Sequence, residues 1–482
     1  MSKIREAFPG EVVKKSGVRT KFFSDLSLPS YMRDWLVMKF SDSDGNIDYE
    51  LVNSYIKQYI PNREDYEHMK FRLVNGEKLR ILARVRVSVD VRSGKTSFEL
   101  PDFGGKANDA DGVIAPYVVD EWKEVLLSSS DCWGIIDIVR EEEVVGNSVR
   151  GYLRMINYEQ FRPFGVDLDF YREARRSFTT EEWIDVLIGA VDYNPDGYEN
   201  EAQKMCFLRR LLPFVELRVN LIELAPRGTG KSYVYEKISK RGWVVSGGSV
   251  SRASLFYNNS TRNAGLVTRF DYVAFDEIQN MVFTPHDEVQ AGLTTYMQDG
   301  IVKGFEDELP GTAGIVVLGN IEADKYNTRL NMVSSINPIF HKPETLDRIH
   351  GFIPGWEIPK FHQSLIAEGW ALNAEYFAEV LHELREEHHY SDIVEQLLFI
   401  PATAYIRDKN AIVRLCTAFV KLIFPHARRP SDIPAEEFIK YCLEPAKDMR
   451  QIIRNQLHVI APLEYEMREV PDIRYRAPVD EY

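Results

Sequence analysis

Val85, Val87, Val89 and Val91 alternate with Arg84, Arg86, Ser88 and Asp90, a period of two that predicts a half-buried strand with a basic outer face. Arg92-Ser-Gly-Lys95 reads as a hairpin turn with a basic tip, and Thr96 to Leu100 as the returning strand. Strand-like runs at Trp133–Glu141 and Ser148–Ile156 complete a small β-rich module, read as a five-stranded barrel of the oligonucleotide-binding type. Before it, Tyr31 to Phe40 and Tyr49 to Tyr59 carry apolar residues at helical spacing. Within it, Asp102 to Pro116 has the composition of a long loop. Beyond it, Phe178-Thr-Thr-Glu-Glu-Trp183 opens a helix: Thr179 or Thr180 caps, the acids sit in the first turn, and Trp183 begins an apolar stripe.

Three apolar runs then predict buried strands: Leu221–Leu224, Tyr272–Phe275 and Gly314–Asn320. Between the last two lies a helix of about Val289 to Met297, broken at Asp299-Gly300. Ile301 to Phe305 and Gly311 to Val317 read as two strands of a hairpin around Glu306-Asp-Glu-Leu-Pro310. The order predicts five regions: 1–75 mixed and largely helical, 76–165 β-rich, 166–360 an α/β core, 361–462 a helical lid, and 463–482 a tail. There is no internal repeat and no low-complexity tract.

Composition narrows the class. The 482 residues are 44% hydrophobic, ordinary for a globular protein with a real core. No apolar run approaches the ~20 residues of a membrane helix, and the first residues show no apolar stretch of a signal peptide. Cys132, Cys206, Cys416 and Cys442 form no CxxC pair, which argues against a zinc ribbon or a disulfide framework and predicts a reducing cytoplasm. A net charge of −14 disfavours nucleic acid on its face. Its distribution changes that picture: residues 1–100 hold 18 Lys+Arg against 14 Asp+Glu, and the remainder 41 against 59. A ring with a basic interior and an acidic exterior still accommodates a polyanion. Lys14, Lys15, Arg19 and Lys21 cluster as well, read as a solvated face.

The candidate chemistry centres on Ala225-Pro226-Arg227-Gly228-Thr229-Gly230-Lys231-Ser232, a turn between an apolar strand and a helix start. Gly228 and Gly230 let backbone N–H groups turn inward around phosphate oxygens. Lys231 is placed to reach the outer phosphates of ATP and Ser232 to hold Mg2+. Ala225 stands where the usual phosphate-loop pattern has its first glycine, which is tolerable if that backbone keeps φ negative. Forty-five residues beyond Lys231, an apolar strand ends in Asp276-Glu277. Asp276 is the second magnesium candidate and Glu277 the general base for the attacking water. His382-Glu-Leu-Arg-Glu386 lacks the second histidine of a zinc-protease helix, and His382, His388 and His389 read as solvated helix residues. Ser246-Gly-Gly-Ser249 reads as a loop, not a nucleophile turn.

The order of elements resembles the AAA+ ATPases. The resemblance implies that Asn320, ending the third strand, is the sensor that orients the lytic water. It implies that Arg348, in Leu346-Asp-Arg-Ile349, is an arginine finger for a neighbouring subunit's ATP, with Arg407, or else Arg414, as a second sensor. The hairpin before Asn320 and the stretch Arg241-Gly-Trp-Val-Val-Ser-Gly-Gly248 resemble the clade of MCM helicases, which implies a pore contact at Lys303. Phe178-Thr-Thr-Glu-Glu-Trp-Ile-Asp185, Arg210-Leu-Leu-Pro-Phe-Val-Glu216, Ala274-Phe-Asp-Glu277, Asp347-Arg-Ile-His350 and Ile353-Pro-Gly-Trp356 resemble the BrxL family more closely. So do Phe8-Pro-Gly-Glu-Val-Val13 and Leu28-Pro-Ser-Tyr31. These are the Lon-related AAA+ proteins of BREX bacteriophage-defence systems.

The resemblance implies a cytoplasmic, hexamer-type homo-oligomeric ring that binds double-stranded DNA, works beside other defence proteins and has no membrane partner. Arg84, Arg86, Arg92 and Lys95 are then candidate backbone contacts. Longer members carry a Lon-like protease-fold domain after the ATPase lid. This sequence ends at Tyr482, so no proteolysis is expected of it. Two other functions fit the same motifs: a nucleotide-gated scaffold with little turnover, and a protein remodeller. No aromatic–hydrophobic–Gly pore loop is present, since Leu255-Phe-Tyr257 is followed by Asn258, which counts against the remodeller.

Overall fold

A computed structural model of the chain describes residues 3–16, 22–23, 30–42, 44–60, 65–90, 94–101, 112–127, 132–145, 148–161, 165–259, 263–303 and 308–478. They form two compact units, residues 36–165 and residues 1–35 together with 166–482. The first 35 residues therefore pack with the large α/β unit, where the sequence had suggested one continuous region over 1–75.

The smaller unit is built on a closed five-stranded barrel: Leu79–Asp90, Lys95–Glu99, Gly112–Ile114, Cys132–Val145 and Ser148–Gln160. The strands run in the order first, second, third, fifth, fourth, and the fourth closes on the first. Only the third and fifth pair in parallel, and the helix Pro116–Leu126 bridges the third and fourth. This is the oligonucleotide-binding type of barrel. Gly112–Ile114 is one of its strands, not part of a long loop as its composition suggested. Ile81, Val85, Phe98, Ile136, Met155 and Tyr158 fill the interior. Gly134 makes room for Tyr158, whose ring would lie 2.3 Å from any Cβ there. The valine alternation outruns this interior: Val85 is fully buried, Val87 half-buried, and Val89 is 52% exposed. Val91 and Arg92 lie outside the described residues.

The larger unit holds a five-stranded, all-parallel sheet ordered Gly351–Pro354, Leu221–Ala225, Gly314–Asn320, Tyr272–Asp276, Gly242–Ser246. Leu221–Ala225 and Tyr272–Asp276 are buried at every position, as expected of parallel strands covered on both faces. This is an α/β core of the P-loop ATPase type, with its loops opening at the carboxyl ends of the strands. The helix Thr180–Ala190 begins at a capping box between Thr179 and Glu182, and Trp183 donates to the Leu422 carbonyl at 3.1 Å. Ala374–Arg385, His389–Leu397, Ile406–Ile423 and Glu444–Ile460 form the helices after the sheet.

Several local readings change. The hairpin pairs Ile301–Lys303 with Glu308–Pro310, and Gly314 already belongs to the central sheet. Phe305 and Glu306 lie outside the described residues. Lys15 is not solvated: it is 6% exposed, in the strand Val12–Lys15 that pairs with Gly369–Leu372. Arg19 and Lys21 lie outside the described residues. His382 is not a solvated residue either, since its Nδ1 sits 2.9 Å from an Asp271 carboxylate oxygen. His389 is likewise held, with Nε2 3.3 Å from the Ala427 carbonyl. Among the described residues, no helix is long and apolar enough to cross a membrane.

Candidate nucleotide site

The loop Pro226–Gly230 leaves the second strand of the sheet and enters the helix Lys231–Lys237. Gly228 and Gly230 take φ of +85° and +73°, the left-handed region in which a side chain is strained. Gly230 has a second constraint: a Cβ would sit 2.0 Å from the Tyr193 hydroxyl oxygen. Ala225 closes the strand, is fully buried, and is not among the residues with positive φ. Its methyl group faces Gly355, where a Cβ would come within 2.4 Å. The room normally left by a glycine at the loop start is here left by the glycine across from it.

Residues far apart in sequence hold the loop from beneath. Arg210 and Glu223 are both fully buried, and Arg210 donates through Nε and Nη2 to the Glu223 carboxylate. Its Nη1 reaches the Thr229 carbonyl at 3.0 Å, tying the ion pair to the loop. Burial works against the Arg210 charge, and Glu223 more than compensates, holding its pKa above the ordinary guanidinium value. From the other side the Phe361 N–H donates to the Gly228 carbonyl at 2.7 Å. The Phe361 ring stays 49% exposed beside the loop and meets Tyr193 edge to face.

Lys231 is 8% exposed, and its ammonium donates to Asn320 Oδ1 at 2.7 Å. Burial pulls its pKa below the ordinary lysine value, against the fields of Glu223, Asp276 and Glu277. One neighbourhood thus collects the phosphate-loop lysine, the residue ending the third core strand and the paired carboxylates. Asp276 is 8% exposed and accepts the Glu277 N–H at 2.9 Å. Glu277 itself is exposed and sits at φ +50°. A non-glycine residue held there costs about 1–3 kcal/mol, a strain that clusters at functional sites. Gln279 donates to the Asn320 carbonyl at 2.9 Å and fixes that strand end to the segment after Glu277. A backbone turn with two left-handed glycines, a buried lysine, and a hydroxyl and carboxylate at Ser232 and Asp276 make a donor set suited to a nucleoside triphosphate with a hard divalent cation.

Arg348 lies elsewhere. Gly351 pairs with Leu221, so Arg348 precedes the amino end of the edge strand while the loop follows the carboxyl end of its neighbour. Five residues of strand separate the two ends, about 15 Å. Asn220, fully buried, anchors the near end by donating to the Arg348 carbonyl and accepting from the Ile315 N–H. Arg407 and Arg414 line a cavity of about 620 Å³ with Arg348. Arg407 pairs with Asp347 at 2.5 Å. All three arginines therefore gather at the end of the sheet away from their own chain's phosphate loop.

Comparison with known proteins identifies the family. Residues 153–470 match the family model described as Lon-like protease BrxL-like, ATPase domain. The chain belongs to the BrxL family. Residues 6–140 match the model of the BREX system Lon protease-like protein BrxL N-terminal region. The "Lon-like protease BrxL" of Bacillus cereus (strain H3081.97) is 29% identical over 479 residues, covering 96% of this chain and 67% of the relative. The protein of the same description from Escherichia coli O9:H4 (strain HS) is 27% identical over 470 residues, covering 96% of this chain and 65% of the relative. The chain spans about two thirds of the length of these BrxL relatives. The BrxL ATPase-domain match contains the whole phosphate loop, Asp276, Glu277, Asn320 and the three arginines. The BrxL N-terminal match contains most of the barrel.

On that barrel the candidate cations are not a bare basic face. Arg86 pairs with Glu99 at 3.4 Å and Lys95 with Glu143 at 3.0 Å, while Arg84 is half-buried. Lys303 is exposed on the hairpin strand Ile301–Lys303. The sequence singles out the loop and the carboxylates, and Arg210 stands only within a stretch of family resemblance, with no role for it or for Glu223, Tyr193 and Phe361. What assigns them to the loop is the set of contacts they make in the fold.

Proposed function

We propose that this chain is a magnesium-dependent ATPase that works as a ring of identical subunits on double-stranded DNA in phage defence. The observation that carries this reading is the separation of Lys231 and Arg348 at opposite ends of one sheet. A single chain offers the phosphate loop at one end and a cluster of arginines at the other. Complementing each loop with an arginine requires a second copy, and head-to-tail repetition of such a contact closes into a ring. The loop backbone and Lys231 bind the phosphates, and the exposed Phe361 ring offers a face to the base. Ser232 and Asp276 would hold a magnesium ion, which when bound would draw charge from the outer phosphates. Glu277 takes a proton from the attacking water, and Asn320 orients that water. Arg348 from the neighbouring copy meets the charge developing on the transferred phosphate, with Arg407 beside it. The pre-Asn320 hairpin with Lys303 would face the central channel, the helices after the sheet would act as a lid, and the barrel would engage the DNA backbone.

ATP turnover measured with and without double-stranded DNA, with Lys231→Ala as the blank, tests the reading. Stimulation by DNA is the expected result. Turnover equal in the wild type and Lys231→Ala would remove the site assignment. One observation favours a second reading, a nucleotide-gated scaffold: Arg86 and Lys95 are already engaged by acids, so the barrel is a weaker polyanion face than its sequence suggests. Hydrolysis that is slow and indifferent to DNA would select that reading.

A further inference from the structure

Asp192 is 8% exposed and stands at φ +72°, between the helix Thr180–Ala190 and Tyr193. Three donors from three segments converge on its carboxylate. Lys15 Nζ lies 2.7 Å from Oδ1 and also donates to the carbonyls of Gly189 and Ala190, at 3.0 and 2.9 Å. Arg33 Nη2 lies 2.5 Å from Oδ1, and its Nε is held by Asp34 at 3.1 Å. The Tyr233 hydroxyl donates to Oδ2 at 3.0 Å and is shared with Ser30 Oγ at 2.9 Å. Burial alone would raise the Asp192 pKa, but Arg33 and Lys15 hold it well below the usual carboxylate range. Burial pushes the Tyr233 phenol up, so its proton stays in place as a donor.

The three segments matter more than the charges. Lys15 ends the strand Val12–Lys15, and Ser30, Arg33 and Asp34 lie on the helix Ser30–Phe40. Tyr233 is the third residue of the helix that begins at Lys231. The residue after Asp192 reaches the loop directly, since the Tyr193 hydroxyl sits 3.5 Å from the Gly230 carbonyl. The Asp192 carbonyl accepts the Ala367 N–H and Asn194 donates to the Leu365 carbonyl, which ties in the segment that carries Phe361.

We propose that Asp192 and Tyr233 form a latch through which the strand Val12–Lys15 and the helix Ser30–Phe40 set the position of the phosphate loop, so that nucleotide affinity depends on those two elements. Tyr233, Ser30 and Asp192 are positioning residues in this role. They fix the helix on which Lys231 and Ser232 sit. The helix Ser30–Phe40 also carries the chain from the larger unit into the smaller one at residue 36. The proposal rests on the nucleotide-site reading and names a control on that same site.

The test is titration of the full chain with a fluorescent MANT-ATP and magnesium, alongside thermal unfolding without nucleotide. Tyr233→Phe keeps the ring and leaves Asp192 paired with Lys15 and Arg33, so Tm should stay within about 2 °C while Kd rises about fivefold, a loss on the scale of one hydrogen bond. Ser30→Ala should act in the same direction, and the double variant should be no worse than the worse single, because both break one chain of contacts. In turnover, KM for ATP should rise with kcat retained. Wild-type affinity in both single variants would overturn the latch. If Tyr233→Phe loses its fold, Ser30→Ala decides alone by the same criteria. Lys231→Ala separates the two levels: if it binds MANT-ATP as the wild type does, the nucleotide-site reading fails; if it loses binding while both latch variants keep it, only the latch fails.

Discussion

Glu277 combines exposure with a left-handed backbone, the combination suited to a base that must meet water yet hold a fixed direction. Glu277→Gln keeps the shape and removes the proton acceptor. It should retain ATP affinity and lose about 10²–10⁴ of kcat; loss of binding in an equilibrium titration would instead make the residue structural. Phe361→Ala should raise KM for ATP with little change in kcat, which steady-state kinetics against ATP separates. A pH effect follows from two histidines. His350 is 8% exposed, and burial, followed by Arg414 and Arg450, pushes its pKa well below the ordinary value. Its Nδ1 accepts the Asn220 N–H at 2.9 Å, which requires the neutral ring. Burial, with Arg175 and Arg176, pushes His426 down to about 4. Both are neutral in the fold and take up a proton near pH 6.5 when unfolded. Their stabilisation is complete above that pH and falls as the pH drops from about 6.5 toward 4. Tm should decline through this window, and less steeply in His350→Gln.

At the scale of elements, the Arg210–Glu223 pair joins the strand Leu221–Ala225 to the loop that follows it. Arg210→Met leaves a carboxylate alone in the core and should cost about 3–5 kcal/mol by denaturant unfolding. Adding Glu223→Leu should return most of that stability, without returning the bond to Thr229, so ATP affinity should stay reduced. Such links explain what the sequence made legible. The phosphate loop, the Asp276–Glu277 strand end and Asn320 are each specified within a few residues, by glycines, an apolar run and a terminal polar group. The surroundings of Lys15 and His382 are not legible locally, because the partners that hold them lie 177 and 111 positions away. The hairpin was misplaced because its return strand, Glu308–Pro310, is acidic and ends in proline, while the apolar run after it belongs to the sheet. The first barrel strand is legible from its alternation, and the long strands at Cys132–Val145 and Ser148–Gln160 from their strand-like runs. Gly112–Ile114, only three residues long, is not.

At the scale of the molecule, the reading depends on two faces meeting. Arg348→Ala should lose turnover alone and recover part of it when mixed with Lys231→Ala, since such a mixture re-creates junctions with an intact loop and an intact arginine. Absence of recovery at every mixing ratio would argue against a shared site. On the barrel, Arg84→Ala/Arg86→Ala should flatten the slope of log affinity for DNA against log salt. The engagement of Arg86 by Glu99 predicts that the change is smaller than two free phosphate contacts would give.

The distance of five strand residues between the loop end and the arginine end of the sheet has a kinetic meaning. If each active junction is completed by another copy, hydrolysis is not a property of one chain. Its rate per chain should then vanish on dilution and rise with total protein until every loop has a neighbour. Such a molecule is silent when sparse and switched on by its own accumulation.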